Sequence, residues 1–262
     1  MAKHLCAFIM LTFSIYGTAS AKTISVAVFD YPPIFVLGDD ENPGYCFEII
    51  ERIFEARGYR VEKHELPLAR AIRSVETGAI DMICAINPHN SWNLVPAFIP
   101  NVSMEFQFWK RADDDFEFGG IDTLADRTVL NIVGFNYRSI SPMYQAYLNS
   151  DNGAVLNLSG EAPMLSAFRM IARGRADVIC LDEHSAAYLL NELGLQDQIV
   201  PAGGFQTPFL AYPAVGPNHP RGTELLREYE AGYEVLRQTG FVEKVLGKYL
   251  DETLAPMVVS GS

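Results

Sequence analysis

Histidines at positions 64, 89, 184 and 219, a fifth at position 4, four cysteines and 32 acidic residues supply groups for proton transfer, nucleophilic attack or metal ligation. Their spacing assembles none of these chemistries. The sequence has no His-Glu-x-x-His and no Cys-x-x-Cys, so neither a structural nor a catalytic metal is expected. It also lacks a Gly-x-Ser-x-Gly nucleophile elbow and a Gly-rich phosphate loop; Gly119-Gly120 and Gly203-Gly204 read as turns. Nothing in the spacing pairs two carboxylates across a cleft. The residues therefore give no positive sign of catalysis.

What does recur is a pattern. Residues 70 to 84 read RAIRSVETGAIDMIC and residues 166 to 180 read SAFRMIARGRADVIC, so that Arg73, Gly78, Asp81 and Cys84 match Arg169, Gly174, Asp177 and Cys180. Leu68, Ile72 and Val75 recur at helical spacing, as do Leu165, Phe168 and Ala172, and each set predicts an amphipathic helix with one buried stripe. The glycine then ends the helix in the left-handed conformation. A short apolar run follows as a buried strand, Ile80 to Ile86 in one copy and Ala176 to Leu181 in the other, with the aspartate at its entry.

The remaining elements alternate in the same way. Strands are expected at Ile24 to Phe29, around Val61, at Thr128 to Val133 and at Val155 to Leu158. Helices are expected at Tyr45 to Arg57, near Ser141 to Leu148, at Glu183 to Leu193 and, broken at Gly240, from Thr223 to Leu250. Strands alternating with helices imply parallel sheets covered on both faces. Two extended apolar stretches, Phe106 to Lys110 and Phe209 to Val215, fit a chain that enters a second lobe and returns, with the C-terminal helices packed on the first.

The chain has 262 residues, 49% of them hydrophobic and 20% charged, which is ordinary globular composition. Its net charge of −12 argues against nucleic acid and other polyanionic partners. Residues 1 to 21 read as a signal peptide: a basic start at Lys3 and His4, an apolar run from Leu5 to Tyr16, and a cleavage site at Ala19-Ser20-Ala21. That run is too short for a membrane span, which needs about twenty residues. Cleavage after Ala21 removes Cys6 and one positive charge, leaving a net −13 and Cys46, Cys84 and Cys180, which permit at most one internal disulfide and read more simply as small buried residues.

Five segments in order resemble the bacterial periplasmic solute-binding proteins that serve polar amino acid ABC transporters, solute-binding family 3. They are Tyr31-Pro32-Pro33-Ile34, Gly44-Tyr45-Cys46-Phe47-Glu48, Pro67 to Cys84, ADVICLDE from Ala176 to Glu183, and GFVEKVLGKY from Gly240 to Tyr249. The resemblance implies a two-lobed α/β fold of the type II periplasmic-binding-protein kind, with mixed, mostly parallel sheets, helices on both faces and two crossover hinge strands. Lobe 1 would comprise 22–109 and 210–262, and lobe 2 would comprise 110–209. It implies periplasmic capture of a small polar solute, an amino acid or a related amine or carboxylate. An ABC permease would be the partner, with no cofactor and a monomeric chain. A dehydratase-like enzyme on the same scaffold and a stand-alone sensory protein remain open alternatives.

Carried over residue by residue, the resemblance puts Tyr31 where a ring stacks on the ligand, although an aromatic packed on Pro32 and Pro33 would leave the same trace. Ala85 to Asn87 would face the ligand carboxylate. Gly134 to Arg138, including Asn136 and Tyr137, would follow a strand at a helix start and offer unpaired amides to an anion. Asp182 matches the acid that grips an amino group, and it fits equally the N-cap of a helix beginning at Glu183. One departure stands out. The family's Thr-x-x-Arg, whose arginine forks onto the ligand α-carboxylate, is here Asn90-Ser91-Trp92-Asn93. Arg70 and Arg138 are candidate substitutes, Arg70 reading equally as a solvated helix residue. Trp92 is a candidate aromatic wall, while Trp109 is expected to pack at the crossing.

Overall fold

The computed structural model describes residues 22–89, 92–150, 153–160 and 162–250; the signal peptide read from residues 1 to 21, and Asn90 and Ser91 of the departed motif, lie outside them. The first half starts with β1 (Lys22–Val28), α1 (Tyr45–Glu55) and β2 (Tyr59–Glu65), followed by α2 (Leu68–Glu76) and β3 (Met82–Ile86). A two-residue strand, β4 (Val95–Pro96), precedes the long β5 (Val102–Arg111). The second half holds β6 (Val129–Ile132), α3 (Pro142–Leu148), β7 (Val155–Leu158), α4 (Pro163–Ala172), β8 (Val178–Asp182) and α5 (Glu183–Leu193). The chain returns through β9 (Ile199–Val215) and ends in α6 (Gly222–Gln238) and α7 (Phe241–Tyr249).

Both copies of the repeat fold as the same unit. Gly78, at φ 74°, follows α2 and leads into β3, whose five residues are all buried. Gly174, at φ 64°, follows α4 and leads into β8, likewise buried throughout. The aspartates tie each strand to its parallel neighbour. The Asp81 carboxylate accepts the Ser25 backbone N–H at 2.7 Å and the Ser25 hydroxyl at 2.8 Å, and Asp177 accepts the Thr128 N–H at 2.7 Å. β1 then runs parallel to β3, and β6 runs parallel to β8.

The sheet is mixed: parallel within each half and antiparallel where the halves join. One path, β2-β1-β3-β9-β5-β8-β6-β7, crosses the whole molecule, and β4 pairs with β9 at its side. The two crossing stretches are longer than the sequence pattern indicates, because β5 and β9 pair with each other from Val102 opposite Ala211 to Arg111 opposite Ile199. Gly203 and Gly204 are not a turn but lie inside β9. The register of β5 against β9 shifts beside them, and a Cβ on Gly204 would sit 2.3 Å from the Phe106 carbonyl oxygen, so the second glycine answers a close backbone approach at a bulge.

α1 buries Tyr45, Phe47, Ile50 and Ile53, and both α6 and α7 pack against it. Cys46, Cys84 and Cys180 are buried and free. The first two bring their Sγ atoms within 3.3 Å, and Asn101 Nδ2 donates to Cys46 Sγ at 2.9 Å. No helix of the described residues is long and apolar enough to cross a membrane.

Candidate functional site

A cavity of about 650 Å³ lies between the halves. On the first-half side it is walled by the loop after β1, by Leu68 at the start of α2 and by the end of β3; on the other by the loop after β6. Val102, Met104 and Phe106 of β5, with Phe209 and Ala211 of β9, form the floor.

The loop after β1 presents Phe29, Asp30 and Tyr31, and reciprocal backbone hydrogen bonds between Tyr31 and Phe35 close it. The Tyr31 ring stacks on Phe135 of the opposite half, with centroids 5.7 Å apart. Its hydroxyl donates to Asp182 Oδ2 at 2.8 Å. Asp182 is fully buried and does not line the cavity. Its other oxygen accepts the Ser185 N–H at 2.8 Å as the N-cap of α5. The cap role read from the sequence is thus observed, together with a link across the halves that sequence reasoning missed. Burial raises the Asp182 carboxyl above its ordinary value, against the lowering pull of the Ser185 and Tyr31 hydrogen bonds, and pushes the Tyr31 phenol well up.

Ala85, Asn87 and Trp92 all reach the wall. The Asn87 side chain is already committed: Nδ2 donates to the Leu210 carbonyl at 3.2 Å and Oδ1 accepts the His89 N–H at 2.8 Å. On the opposite wall, Gly134, Asn136 and Tyr137 line the cavity, but not as a helix start. They form a loop because α3 begins only at Pro142, capped by Ser141, whose side chain accepts from Tyr144 N–H. Within that loop the Phe135, Tyr137 and Arg138 amides bond to Ile132 O, Gln145 Oε1 and Asn136 Oδ1, whereas the Gly134 and Asn136 amides have no partner among the described residues.

Neither candidate arginine lines the cavity. Arg70, on α2, and Arg138 are both exposed. Trp109 packs edge-on against Phe168 at 6.4 Å and donates Nε1–H to the Leu181 carbonyl, away from the site.

Behind Asp182 lies a buried polar cluster with no counterpart in the sequence reading. Glu183 Oε2 accepts the Glu105 N–H at 2.5 Å, and the Tyr45 hydroxyl lies 3.2 Å from His184 Nδ1. Burial and the neighbouring Asp182 push the Glu183 carboxyl up to about 8, and burial pushes His184 down to about 4. Their 3.6 Å approach is therefore one of two neutral groups at pH 6, not an ion pair. The signal available in the sequence was the run Asp182-Glu183-His184-Ser185, four polar residues directly after an apolar strand.

No family model matches the chain. It is 25% identical over 221 residues to PatH of Vibrio harveyi, named as an amino-acid ABC transporter-binding protein, covering 84% of each chain. Among solved structures, ytmK of Bacillus subtilis, named as an amino-acid ABC transporter extracellular-binding protein, superposes with a TM-score of 0.70 at 15% identity over 89% of this chain and 100% of its own. A histidine kinase sensor domain similar to periplasmic binding proteins superposes with a TM-score of 0.68 at 21% identity, over 87% of this chain and 96% of the other. The chain has the periplasmic-binding-protein fold, and in sequence it is similar to PatH.

Proposed function

We propose that this protein captures a small solute between its two halves and delivers it to an ABC transporter permease in the periplasm, after a signal peptide is removed behind Ala21. The observation that carries the reading is the 650 Å³ cavity, walled by both halves and floored by the two strands that join them. The names of PatH and ytmK support it. Lobe 1, residues 22–109 and 210–262, supplies Tyr31, Ala85, Asn87 and Trp92; lobe 2, residues 110–209, supplies Gly134, Asn136 and Tyr137. Closure about β5 and β9 buries the solute, and Tyr31 joins the lobes by stacking on Phe135 and bonding Asp182. Arg70 and Arg138, both exposed, are not part of the cavity wall. The monomeric chain works without a cofactor, binding its solute and releasing it unchanged.

Titration with amino acids, amines and carboxylates, followed by intrinsic fluorescence and melting temperature, tests the reading. A true solute saturates and raises Tm, since a ligand selective for the native state stabilises it. It is also recovered intact by NMR after prolonged incubation. No saturable response across the panel overturns the proposal.

A further inference from the structure

We infer that the solute of this cavity is an organic cation with an apolar body and no free carboxylate, its positive end held by Asp30; this rests on the solute-capture reading above. Among the described lining residues Asp30 carries the one formal charge. Asp30 is exposed where its loop borders the cavity, its carboxylate has no hydrogen-bond or ion-pair partner among the described residues, and partial desolvation raises it above its ordinary value. The other polar side chains of the wall mostly turn inward: the Tyr31 hydroxyl serves Asp182, the Tyr137 hydroxyl donates to the Cys180 carbonyl at 2.9 Å, and the Asn87 amide holds Leu210 and His89.

What remains facing the space is largely apolar, with the rings of Phe29, Tyr31, Trp92, Phe106, Phe135 and Phe209 among aliphatic side chains such as Leu68, Val102 and Met104. Ring faces attract cations and apolar bodies and offer nothing to an anion. A carboxylate buried among them, with no arginine or lysine in the described wall and with Arg70 and Arg138 outside it, keeps its desolvation cost. The free Gly134 and Asn136 amides provide neutral donors, which suit a carbonyl oxygen as well as an acid. An amine, or an amino acid whose carboxylate is masked as an amide, satisfies every group on this list.

Paired ligands isolate the charge. L-phenylalanine, L-phenylalaninamide and 2-phenylethylamine are titrated calorimetrically at pH 6.5, and arginine against agmatine repeats the comparison for an extended body. The expected result is that the carboxylate-free member of a pair binds roughly tenfold tighter or more. Asp30→Asn then weakens that ligand by a similar factor while leaving the melting temperature of the solute-free protein unchanged. A free acid that binds as tightly as its partner overturns the inference and leaves solute capture standing, as does amine binding indifferent to Asp30→Asn. Silence from both pairs and from the wider panel removes the capture reading as well.

Discussion

The two helix–turn–strand units share a design and end differently. In the first, β3 runs out through Ala85 and Ile86 to Asn87, and the chain continues as a loop along the cavity wall. In the second, β8 passes without a loop into α5, so Asp182 is at once the last strand residue and the helix cap. Asn87 and Glu183 stand at equivalent places, three residues beyond the matched cysteines. One is a neutral amide tied to backbone at the wall; the other is a buried carboxyl behind it. The same unit has become a cavity wall in one half and a latch in the other, and what decides it is the chain after the strand rather than the strand itself.

The sharpest way to break this parallel is to remove the aspartates that begin each strand. Asp81 accepts two hydrogen bonds from Ser25 and lies 2.9 Å from His219 Nε2, whereas Asp177 accepts from the Thr128 amide. Asp81→Ala should cost about 3 kcal/mol in urea unfolding and Asp177→Ala about half of that, taking bonds to charged groups at ~1.5–3 kcal/mol. Equal losses would mean that the units are not anchored as described. Burial pushes the Asp81 carboxyl up, but the Ser25 and His219 bonds together outweigh it and hold it below its ordinary value. Its contribution is therefore present above about pH 4 and lost as pH falls through the folded value, so Asp81→Ala should flatten the acid limb of the stability profile.

The latch predicts a smaller effect. Tyr31→Phe leaves the buried Asp182 Oδ2 without its donor and should cost about 2 kcal/mol, while Tyr137→Phe, which frees a neutral carbonyl, should cost about 1 kcal/mol. Solute-free thermal melts check the ratio; a reversed order would place the junction elsewhere.

The last comparison concerns Glu183. Its carboxyl is pushed up to about 8, so between about pH 4.5 and 8 the folded state holds a proton that the unfolded state releases, and stability falls as pH rises through that window. Glu183→Gln removes the penalty. The variant should gain at least ~1 kcal/mol at pH 8, the linkage of one pKa unit, and nothing at pH 4. His184 acts in the opposite sense: held down at about 4, it takes a proton more readily when unfolded, so stability is lost as pH falls from about 6.5 toward 4. A Glu183→Gln variant that gains no more at pH 8 than at pH 4 would put the Glu183 carboxyl in water.

The fold was legible because it rests on local patterns. The repeat located α2, β3, α4 and β8, and Val155 to Leu158 and Glu183 to Leu193 coincide with their observed elements. The site was legible only in outline. Seven expected wall positions, Tyr31, Ala85, Asn87, Trp92, Gly134, Asn136 and Tyr137, do meet at one cavity, but Asp30 passed unremarked beside Tyr31. Which hydroxyls turn inward depends on partners about forty to one hundred and fifty positions away, and no spacing rule carries that. Gly203-Gly204 was misread for a similar reason, since two glycines look alike in a turn and in a bulge, and the Phe106 backbone distinguishes them only in three dimensions.

The long strand β9 also fixes an order of assembly. The first half is incomplete until Val215 has been added between β3 and β5, and its helix α1 lacks a cover until α6 and α7 arrive. Nearly all of the second half lies between those events in the chain. A polypeptide emerging from its N-terminus therefore exposes an unfinished first half throughout synthesis of the second, with the β3 and β5 edges unpaired. The residues that complete the first half follow the second half in the chain, so the two walls of the cavity come together only after β9 has been made.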